Sequence, residues 1–510
     1  MNHKNLIILR KTIQIIFFLI FILTIAVAVY PFKAYFFTKL FLIIDPLNAI
    51  GTQTATGYFN PIMLLSLPFL LSPILFGRAF CGWICPLGTT IDLTDNILNK
   101  RHIKTIKTRR VKYFLLILFL LLSILGFQLF WLLDPLPIIW RSFAIIIFPI
   151  VYALVYGFVE LFINVGILPD FFSRVNEAIS NTFFSPHPPT ASGIFLPLVI
   201  FLLILSGSFI SKRFWCKNLC PLGALLGIIA RWSLLRRHVV TSQCTACSLC
   251  DQTCKMDAIY DDFTSTNTSE CIICLNCTTT CPTDSTEFKF SPPTKVKQEA
   301  NLTRRSLIFA GIISLLGAGF LKLTAKGKEN DRLIRPPGAV TEEDFNDLCI
   351  RCGECIRVCS TSGGCLQPGI TGMGIAGLMT PRADYHLGYC EYECNLCGQI
   401  CPTEAIQKLK LKEKKRYKMG TAIIQKDRCI PYRLNDNCIV CEEHCPIPEK
   451  AIKLDEKKIF SSFYNSEIIV KYPYVIPELC IGCGICENKC PVEGEPGIIV
   501  IKEGEERIKI

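Results

Sequence analysis

The sequence predicts a multi-domain protein in which an α-helical membrane bundle of four to six spans is joined to small α+β domains rich in cysteine. Hydrophobic residues make up 51% of the 510 positions and the mean hydropathy is +0.40, more than an ordinary soluble protein carries. All but one of the 29 cysteines fall into short, regularly spaced groups. Such spacing is typical of metal binding rather than of disulfide bonding.

Four apolar segments approach the length of about 20 residues that a helix needs to cross a bilayer. They are Thr12 to Tyr30, Gly57 to Gly77, Tyr113 to Leu133 and Ala191 to Ser211. There is a fifth apolar run, Ser142 to Val159. If it crossed the membrane once, every later loop would move to the opposite side of the membrane. We expect it to form a re-entrant or interfacial helix, with a double crossing as the alternative.

The net charge of +12 is explained by basic residues beside the apolar segments, so no nucleic-acid partner is expected. Residues 100–112 contain seven Lys and Arg and residues 212–237 contain six, whereas residues 134–190 contain only Arg141 and Arg174. Because cytoplasmic loops are enriched in Lys and Arg, the two basic loops and the N-terminus are predicted to be cytoplasmic. The expected location is a bacterial cytoplasmic (inner) membrane, crossed several times.

A short motif is repeated after the second and fourth predicted spans. GRAFCGWICPLG, which contains Cys81 and Cys85, recurs 135 positions later as KRFWCKNLCPLG, which contains Cys216 and Cys220. The four thiols are predicted to bind a metal, a cluster or another cofactor, or to cycle between dithiol and disulfide. The alternative is a structural turn with buried thiols.

Two groups with the spacing CxxCxxCxxxC follow the second repeat. This spacing is typical of [4Fe-4S] clusters, in which three close thiolates bind one cluster and the fourth binds its neighbour. The expected ligands are Cys244, Cys247, Cys250 and Cys281 for one cluster, and Cys271, Cys274, Cys277 and Cys254 for the other. Zinc is the alternative, but zinc ribbons usually separate two CxxC pairs by about 15 to 20 residues.

An export signal is predicted in mid-chain. Thr303, Arg304, Arg305 and Ser306 precede a short apolar run that ends near Leu321, as in twin-arginine signals. The alternative is a plain transmembrane anchor. Either interpretation carries the residues from 326 onward out of the cytoplasm.

The exported part contains four further groups of metal-ligand candidates. They are Cys349, Cys352, Cys355 and Cys359; Cys390, Cys394, Cys397 and Cys401; Cys429, Cys438, Cys441 and Cys445; and Cys480, Cys483, Cys486 and Cys490. About six [4Fe-4S] clusters are therefore expected, and the spacing leaves open whether these four groups pair consecutively or in a nested order. The remaining thiol, Cys365, is expected to be a spectator, with replacement of Cys359 as the alternative.

Four domains follow from these patterns. They are a membrane domain at 1–238, a two-cluster module at 239–292, a signal or anchor helix at 301–325, and a polyferredoxin domain with ferredoxin-like α+β units at 326–510.

The chain resembles two protein families joined end to end. The two CxxxCP motifs with a ferredoxin module behind them are similar to NapH, a membrane partner of periplasmic nitrate reductase. The twin-arginine stretch, RPPGAVTEEDF, CIRCGECIRVC, YCEYECNLCGQICPTEAI and CIVCEEHCPIPEKAI are similar to NapG, an exported polyferredoxin. The MauN and MauM proteins resemble the two halves almost as well. The fusion, Ser360, Cys365 and the extra apolar run from Ser142 depart from these patterns.

The resemblance implies electron transfer from the quinone pool, as quinol, to a periplasmic enzyme or small electron carrier. Quinol-dehydrogenase activity stays open, and no catalytic residue is assigned. Asp134, Glu160 and Trp131 are candidates for a quinone site, although such residues more often anchor helix ends. The alternative is electron donation for maturation or repair of a metalloenzyme or cofactor, and a membrane redox sensor ranks third.

Overall fold

The computed structural model describes nine stretches of the chain. They are residues 3–31, 35–98, 106–166, 168–182, 191–292, 304–325, 330–370, 373–461 and 466–510. Thr303 of the twin-arginine stretch and residues 100–105 of the first basic loop lie outside these ranges.

The chain divides into two compact units. The first comprises Met1–Ala26, Phe36–Phe143 and Leu196–Lys322, and the second comprises Val27–Tyr35, Ala144–Phe195 and Leu323–Ile510. Residues 27–35 and 144–195 thus group with the C-terminal residues. The four predicted domain boundaries stay a prediction.

Helices dominate the part of the chain before residue 235. They are α1 (His3–Ala26), α2 (Tyr35–Ile43), α3 (Pro46–Thr56), α4 (Ser66–Phe76), α5 (Ala79–Trp83), α6 (Pro86–Leu98), α7 (Arg110–Ile124), α8 (Pro135–Arg141), α9 (Phe148–Val165), α10 (Pro169–Thr182), α11 (Ala191–Ser206), α12 (Phe214–Asn218) and α13 (Pro221–Ile229).

Three helices in the described ranges are long and apolar enough to cross a membrane, namely Asn5–Ala26, Pro135–Val165 and Arg304–Lys322. The first matches a predicted span. Two other predicted spans coincide with the shorter apolar helices Pro61–Phe76 and Gly193–Phe209. In the remaining one, Tyr113 to Leu133, helix α7 ends at Ile124.

The run Ser142 to Val159 lies within the 31-residue helix Pro135–Val165, which contains a π-helical turn at Ser142–Ile147. A helix of this length and hydropathy meets the requirement for a full span. The geometry therefore gives no support to a separate re-entrant helix. The re-entrant prediction rested on the sides of the membrane that the charged loops require, and whether the run crosses the membrane stays a prediction. Arg141 is buried within the continuous helix.

Aromatic side chains form the centre of the first unit. The ring of Phe21 in α1 makes edge contacts with Trp140 at 5.3 Å and with Phe143 at 5.1 Å between centroids. The opposite side of the same helix exposes large apolar residues, among them Ile15 and Leu19. An apolar surface of this kind on a long helix indicates association with lipid.

The first cysteine-rich module also belongs to the first unit. Its strands β1 (Leu235–Val239) and β2 (Thr286–Phe290) pair antiparallel, and the helices α14 (Leu249–Gln252) and α15 (Asn276–Thr279) lie between them in the chain. After this module, α16 (Arg304–Ala325) begins at the twin arginines, and its residue Ser314 hydrogen-bonds Leu118 O of α7.

A buried carboxylate fixes this module to the membrane helices. Glu270 accepts hydrogen bonds from Lys112 Nζ at 2.6 Å, Arg78 at 2.9 Å and the Tyr113 hydroxyl at 3.0 Å, and all four side chains are buried. Burial favours the neutral acid, but the charges of Lys112 and Arg78 hold the pKa of Glu270 below its ordinary value. The carboxylate is therefore ionised and compensates two cations that water does not reach.

The second unit contains short helices and two-stranded sheets. Its C-terminal elements are α17 (Glu342–Leu348), α18 (Glu354–Cys359), β3 (Leu366–Pro368), β4 (Pro381–Ala383), α19 (Leu396–Ile400), α20 (Leu411–Lys414), β5 (Thr421–Ile424), α21 (Ile430–Leu434), α22 (Val440–Glu443), β6 (Ile452–Ser461), β7 (Ser466–Val475), α23 (Ile485–Asn488) and β8 (Ile498–Ile501). Three antiparallel pairs, β3–β4, β5–β8 and the long hairpin β6–β7, form its sheets.

Glu270→Ala is expected to destabilise the first unit by about 3–5 kcal/mol, because Arg78 and Lys112 would be left buried without a counter-charge. Denaturant unfolding of the purified protein in detergent measures this. The matched control is Glu287→Ala, whose half-exposed carboxylate pairs with Lys289 and should change stability by no more than about 1 kcal/mol. Equal effects of the two substitutions would contradict the structural role of Glu270.

Candidate metal centres

In the first module, four cysteines line one cavity of about 360 Å³. They are Cys254, Cys271, Cys274 and Cys277. These are the residues that the spacing assigns to one cluster, with Cys254 supplied by the neighbouring group. The remaining wall is largely apolar and includes Met256, Ile259 and Phe288.

Of the four cysteines predicted to bind the other cluster of this module, the described contacts bring only three together. Cys244, Cys247 and Cys250 act electrostatically on one another. The sulfur of Cys281 contacts the hydroxyls of Ser285 at 3.2 Å and Thr283 at 3.6 Å. Burial raises the pKa of Cys281, but these hydrogen bonds outweigh it and bring the value down to about 7. This thiol is therefore readily ionised, as a metal ligand must be.

Three further cavities of about 340 to 420 Å³ lie in the second unit. Their cysteines are Cys349, Cys352, Cys355 and Cys401 in one; Cys390, Cys394, Cys397, Cys359 and Cys365 in another; and Cys480, Cys483, Cys486 and Cys445 in the third. The thiol of Cys441 interacts electrostatically with the thiols of Cys429, Cys438 and Cys490. Each set joins a group to the adjacent one, so the structure pairs the groups consecutively rather than in a nested order.

Four of the cysteine loops share one backbone conformation. The residues immediately before and after the second cysteine both have positive φ, namely Ala246 and Ser248, Ile273 and Leu275, Arg351 and Gly353, and Gly482 and Gly484. Left-handed residues are costly for side chains other than glycine. Alternation of right- and left-handed residues directs successive backbone N–H groups into a concavity that binds anions, including iron-sulfur clusters. The repeated strain is therefore explained by a cluster in each loop.

The residues present fit iron-sulfur clusters. Cysteine side chains from two loops line each cavity, and the walls are mainly apolar. Within the described ranges, no three Cys, His, Asp or Glu side chains lie close enough to hold one metal ion.

Both CxxxCP motifs lie in the first unit, and their four sulfurs are within electrostatic range of one another. Each copy of the motif places an arginine side chain against the other copy. Arg213 of the second copy donates to Cys81 O of the first at 2.9 Å, and Arg78 of the first copy lies against Gly223 of the second. A Cβ atom at Gly223 would lie 2.5 Å from the Arg78 guanidinium, so only glycine leaves room for it. The glycine of CPLG thus has a packing role.

The first CxxxCP turn contacts the neighbouring cluster loop directly. Trp83 Nε1 donates to Ile273 O at 2.9 Å, and Ile273 lies between Cys271 and Cys274. A Cβ atom at Gly82 would lie 2.3 Å from Ile272 O, so the two backbones are in close contact. We call the four CxxxCP cysteines, Cys81, Cys85, Cys216 and Cys220, the thiol tetrad. The thiol tetrad and the Cys271 cavity therefore share one wall.

Several residues of this region escaped the sequence-based prediction. Arg213 forms a two-point ion pair with Asp92 at 2.7 and 2.8 Å, and Lys255 pairs with the same carboxylate at 3.0 Å. Lys255 stands where proline normally follows the fourth cysteine of the motif. That departure was the one signal that pointed to a tertiary role at this position.

Comparison with known sequences assigns the chain to a family. A profile described as a 4Fe-4S binding domain matches residues 56–104 and 194–240, and one described as a 4Fe-4S dicluster domain matches residues 435–493. The methylamine utilization ferredoxin-type protein MauM of Methylophilus methylotrophus is 31% identical over 214 residues, which cover 39% of this chain and 86% of MauM. The chain belongs to the MauM family of ferredoxin-type proteins.

Other relatives of this MauM-family chain include the ferredoxin-type protein NapG of Escherichia coli, 28% identical over 33% of this chain and 70% of NapG. The putative electron transport protein YccM of the same organism is 28% identical over 38% of this chain and 45% of YccM. No solved structure matches the chain significantly. The MauM-family chain is thus an iron-sulfur protein of electron transfer. Its first 4Fe-4S profile falls on the two CxxxCP regions.

Cys359 and Cys365 have different expected roles in their shared cavity. Their sulfurs are 3.9 Å apart, and the hydrogen bond from Cys365, with a backbone N–H from Leu366, lowers the pKa of Cys359. Cys359→Ala is expected to convert this cluster to a three-iron form. Cys365→Ala should keep four irons but lower the reduction potential, since a hydrogen bond that favours the more negative state is lost. Iron quantitation with EPR redox titration measures both, and equal iron loss would make Cys365 a ligand.

Gly482→Ala is expected to prevent cluster binding at Cys480, Cys483 and Cys486. The new Cβ would lie 2.6 Å from the backbone N of Gly420, which cannot move aside as a side chain would. Overpacking adds about 1–3 kcal/mol to the roughly 1–2 kcal/mol of left-handed strain. Gly494→Ala is the matched control, because it has the same positive φ with nothing within 4 Å. Iron content should fall only in the first variant.

Proposed function

We propose that the chain carries electrons from membrane quinol through its iron-sulfur clusters to an extracytoplasmic reductase or small electron carrier. The observation that supports this most directly is the hydrogen bond from Trp83 Nε1 to Ile273 O at 2.9 Å. It joins the membrane-domain thiols to a cluster loop without an intervening solvent layer. One-electron transfer requires that the two redox groups lie a short and fixed distance apart.

The thiol tetrad of Cys81, Cys85, Cys216 and Cys220 is proposed as the entry point, in keeping with the NapH resemblance of this half. The 4Fe-4S profile on both motifs supports a cluster at this position. Arg78 and Arg213 are buried beside the thiols, so their positive charges would offset part of the negative charge of a thiolate-bound group. A bound cluster would supply one-electron transfer, and the protein would tune its potential by burial and hydrogen bonding.

The second unit is proposed to lie outside the cytoplasm. Positive charge in the early loops places the residues that follow α1 on the outer side. These residues pack within the second unit, where Ala28 lies in an apolar cluster with Val358, Leu396 and Ile400. Tyr30 N also donates to Thr361 Oγ1 at 2.9 Å. These contacts support an outer location, and export through the twin-arginine signal would deliver a domain already loaded with clusters.

The full-length protein in lipid nanodiscs provides the test. Menadiol, a soluble quinol, should bleach the visible absorption of the clusters, and Cys81→Ser combined with Cys216→Ser should abolish this reduction. The same double variant should retain the iron of the other sites and be reduced fully by dithionite. The matched control is Thr94→Ala on α6, a hydroxyl that bonds only its own helix.

Cluster potentials too low for any quinol to reach would overturn the conduit proposal. Maturation predicts a different outcome in cells: a deletion strain would respire normally but contain an inactive, misassembled client enzyme. Respiration and client activity measured in one strain therefore separate the two functions.

A further inference from the structure

The first unit contains a second repeat besides CxxxCP. The tripeptide Asp-Pro-Leu occurs at 45–47, before α3, and at 134–136, where α8 begins. Each aspartate caps its helix in the same way. Asp45 (φ −75, ψ 113) accepts from Leu47 N at 3.0 Å, and Asp134 (φ −71, ψ 126) accepts from Leu136 N at 3.4 Å. Each half of the repeat thus contributes one capping carboxylate and one CxxxCP turn.

The structure brings the two aspartates into contact. Both are fully buried, and their side chains are within hydrogen-bonding distance of each other. Asp134 Oδ2 receives no N–H or O–H donor from the described residues. Two adjacent buried carboxyl groups cannot both be ionised, so at least one of them holds a proton.

Among the described residues, no cation is paired with either carboxyl group. The only charged group that acts on either carboxyl within the described ranges is the other carboxyl; the remaining contributions are burial and the hydrogen bonds of the helix caps. Burial raises the pKa of Asp134, and the nearby charge of Asp45 raises it further. The two carboxyl groups therefore titrate as one unit, which holds a proton at neutral pH.

An open hydrogen-bond acceptor lies beside the pair. Asn48 Nδ2 donates to Asp45 Oδ2 at 3.1 Å, while Asn48 Oδ1 is buried and has no hydrogen-bond partner among the described residues. An unpaired buried amide oxygen is costly unless a ligand or water occupies it. A quinol hydroxyl is a donor of the required kind.

We propose that Asp45 and Asp134 share one proton where the two repeats meet, and that this pair accepts protons from quinol hydroxyls that bind at Asn48 Oδ1. The inference rests on the proposed function, since it concerns the protons that accompany the electrons. Oxidation of one quinol breaks two O–H bonds and yields one quinone, two protons and two electrons. The electrons leave singly toward the cysteine-bound clusters. The pair takes one proton, becomes neutral, releases it to water and then takes the second.

Asparagine substitutions test the pair without removing the helix caps, because asparagine caps helices as well as aspartate does. In nanodiscs, Asp45→Asn and Asp134→Asn should each slow cluster reduction by menadiol by roughly 10²-fold, the range of general acid–base effects. Dithionite, which needs no proton acceptor, should reduce all variants to the wild-type extent. Asp170→Asn, which alters an exposed carboxylate on α10, is the matched control and should leave the menadiol rate unchanged.

Infrared spectroscopy supplies a readout that a purely structural role would not move. Wild-type protein should show the C=O stretch of a protonated carboxyl group at neutral pH, and Asp134→Asn should lose it. Wild-type rates in both asparagine variants would overturn the inference and leave the conduit intact. A wild-type protein that menadiol does not reduce would overturn the proposed function and, with it, this role for the pair.

Discussion

Glu270 sits at the junction on which the arrangement of the first unit depends. Its carboxylate is buried between Arg78 and Lys112, and removing it would leave two cations without a counter-charge in a medium of low polarity. Pairs of this kind add little net stability over an apolar core, but they permit only one register of the elements that carry them. The consequence is a fixed separation between the thiol tetrad and the loop that begins at Cys271.

Local spacing predicted the ligand groups because three cysteines in seven or eight residues can be placed around one cluster by a single turn of chain. The partnership between groups was open for the C-terminal half, since it depends on which turns the tertiary fold brings together. Cys401 beside Cys349 and Cys445 beside Cys480 resolve it in favour of adjacent groups. Ser142 to Val159 shows the opposite limit, because loop charge indicates the side of a membrane and not where a helix begins, and the helix that contains this run begins at Pro135.

The residues that the sequence did not reveal are single charges in otherwise ordinary contexts. Glu270 precedes a cysteine by one position, and its surroundings carry no sign of Lys112, which lies 158 residues away. The Asp-Pro-Leu repeat is present in the sequence but is shorter than the cysteine motif. Proline after aspartate is typical of the start of a helix, so the repeat by itself indicates only two helix caps. Only the contact between Asp45 and Asp134 distinguishes a pair of caps from a shared site.

The exchange of Arg78 and Arg213 makes the two repeats depend on each other. The guanidinium of Arg213 hydrogen-bonds the first CxxxCP turn, and that of Arg78 packs against Gly223 of the second. Replacing either arginine would therefore disturb the turn of the opposite repeat, and the two turns are expected to lose their geometry together rather than one at a time.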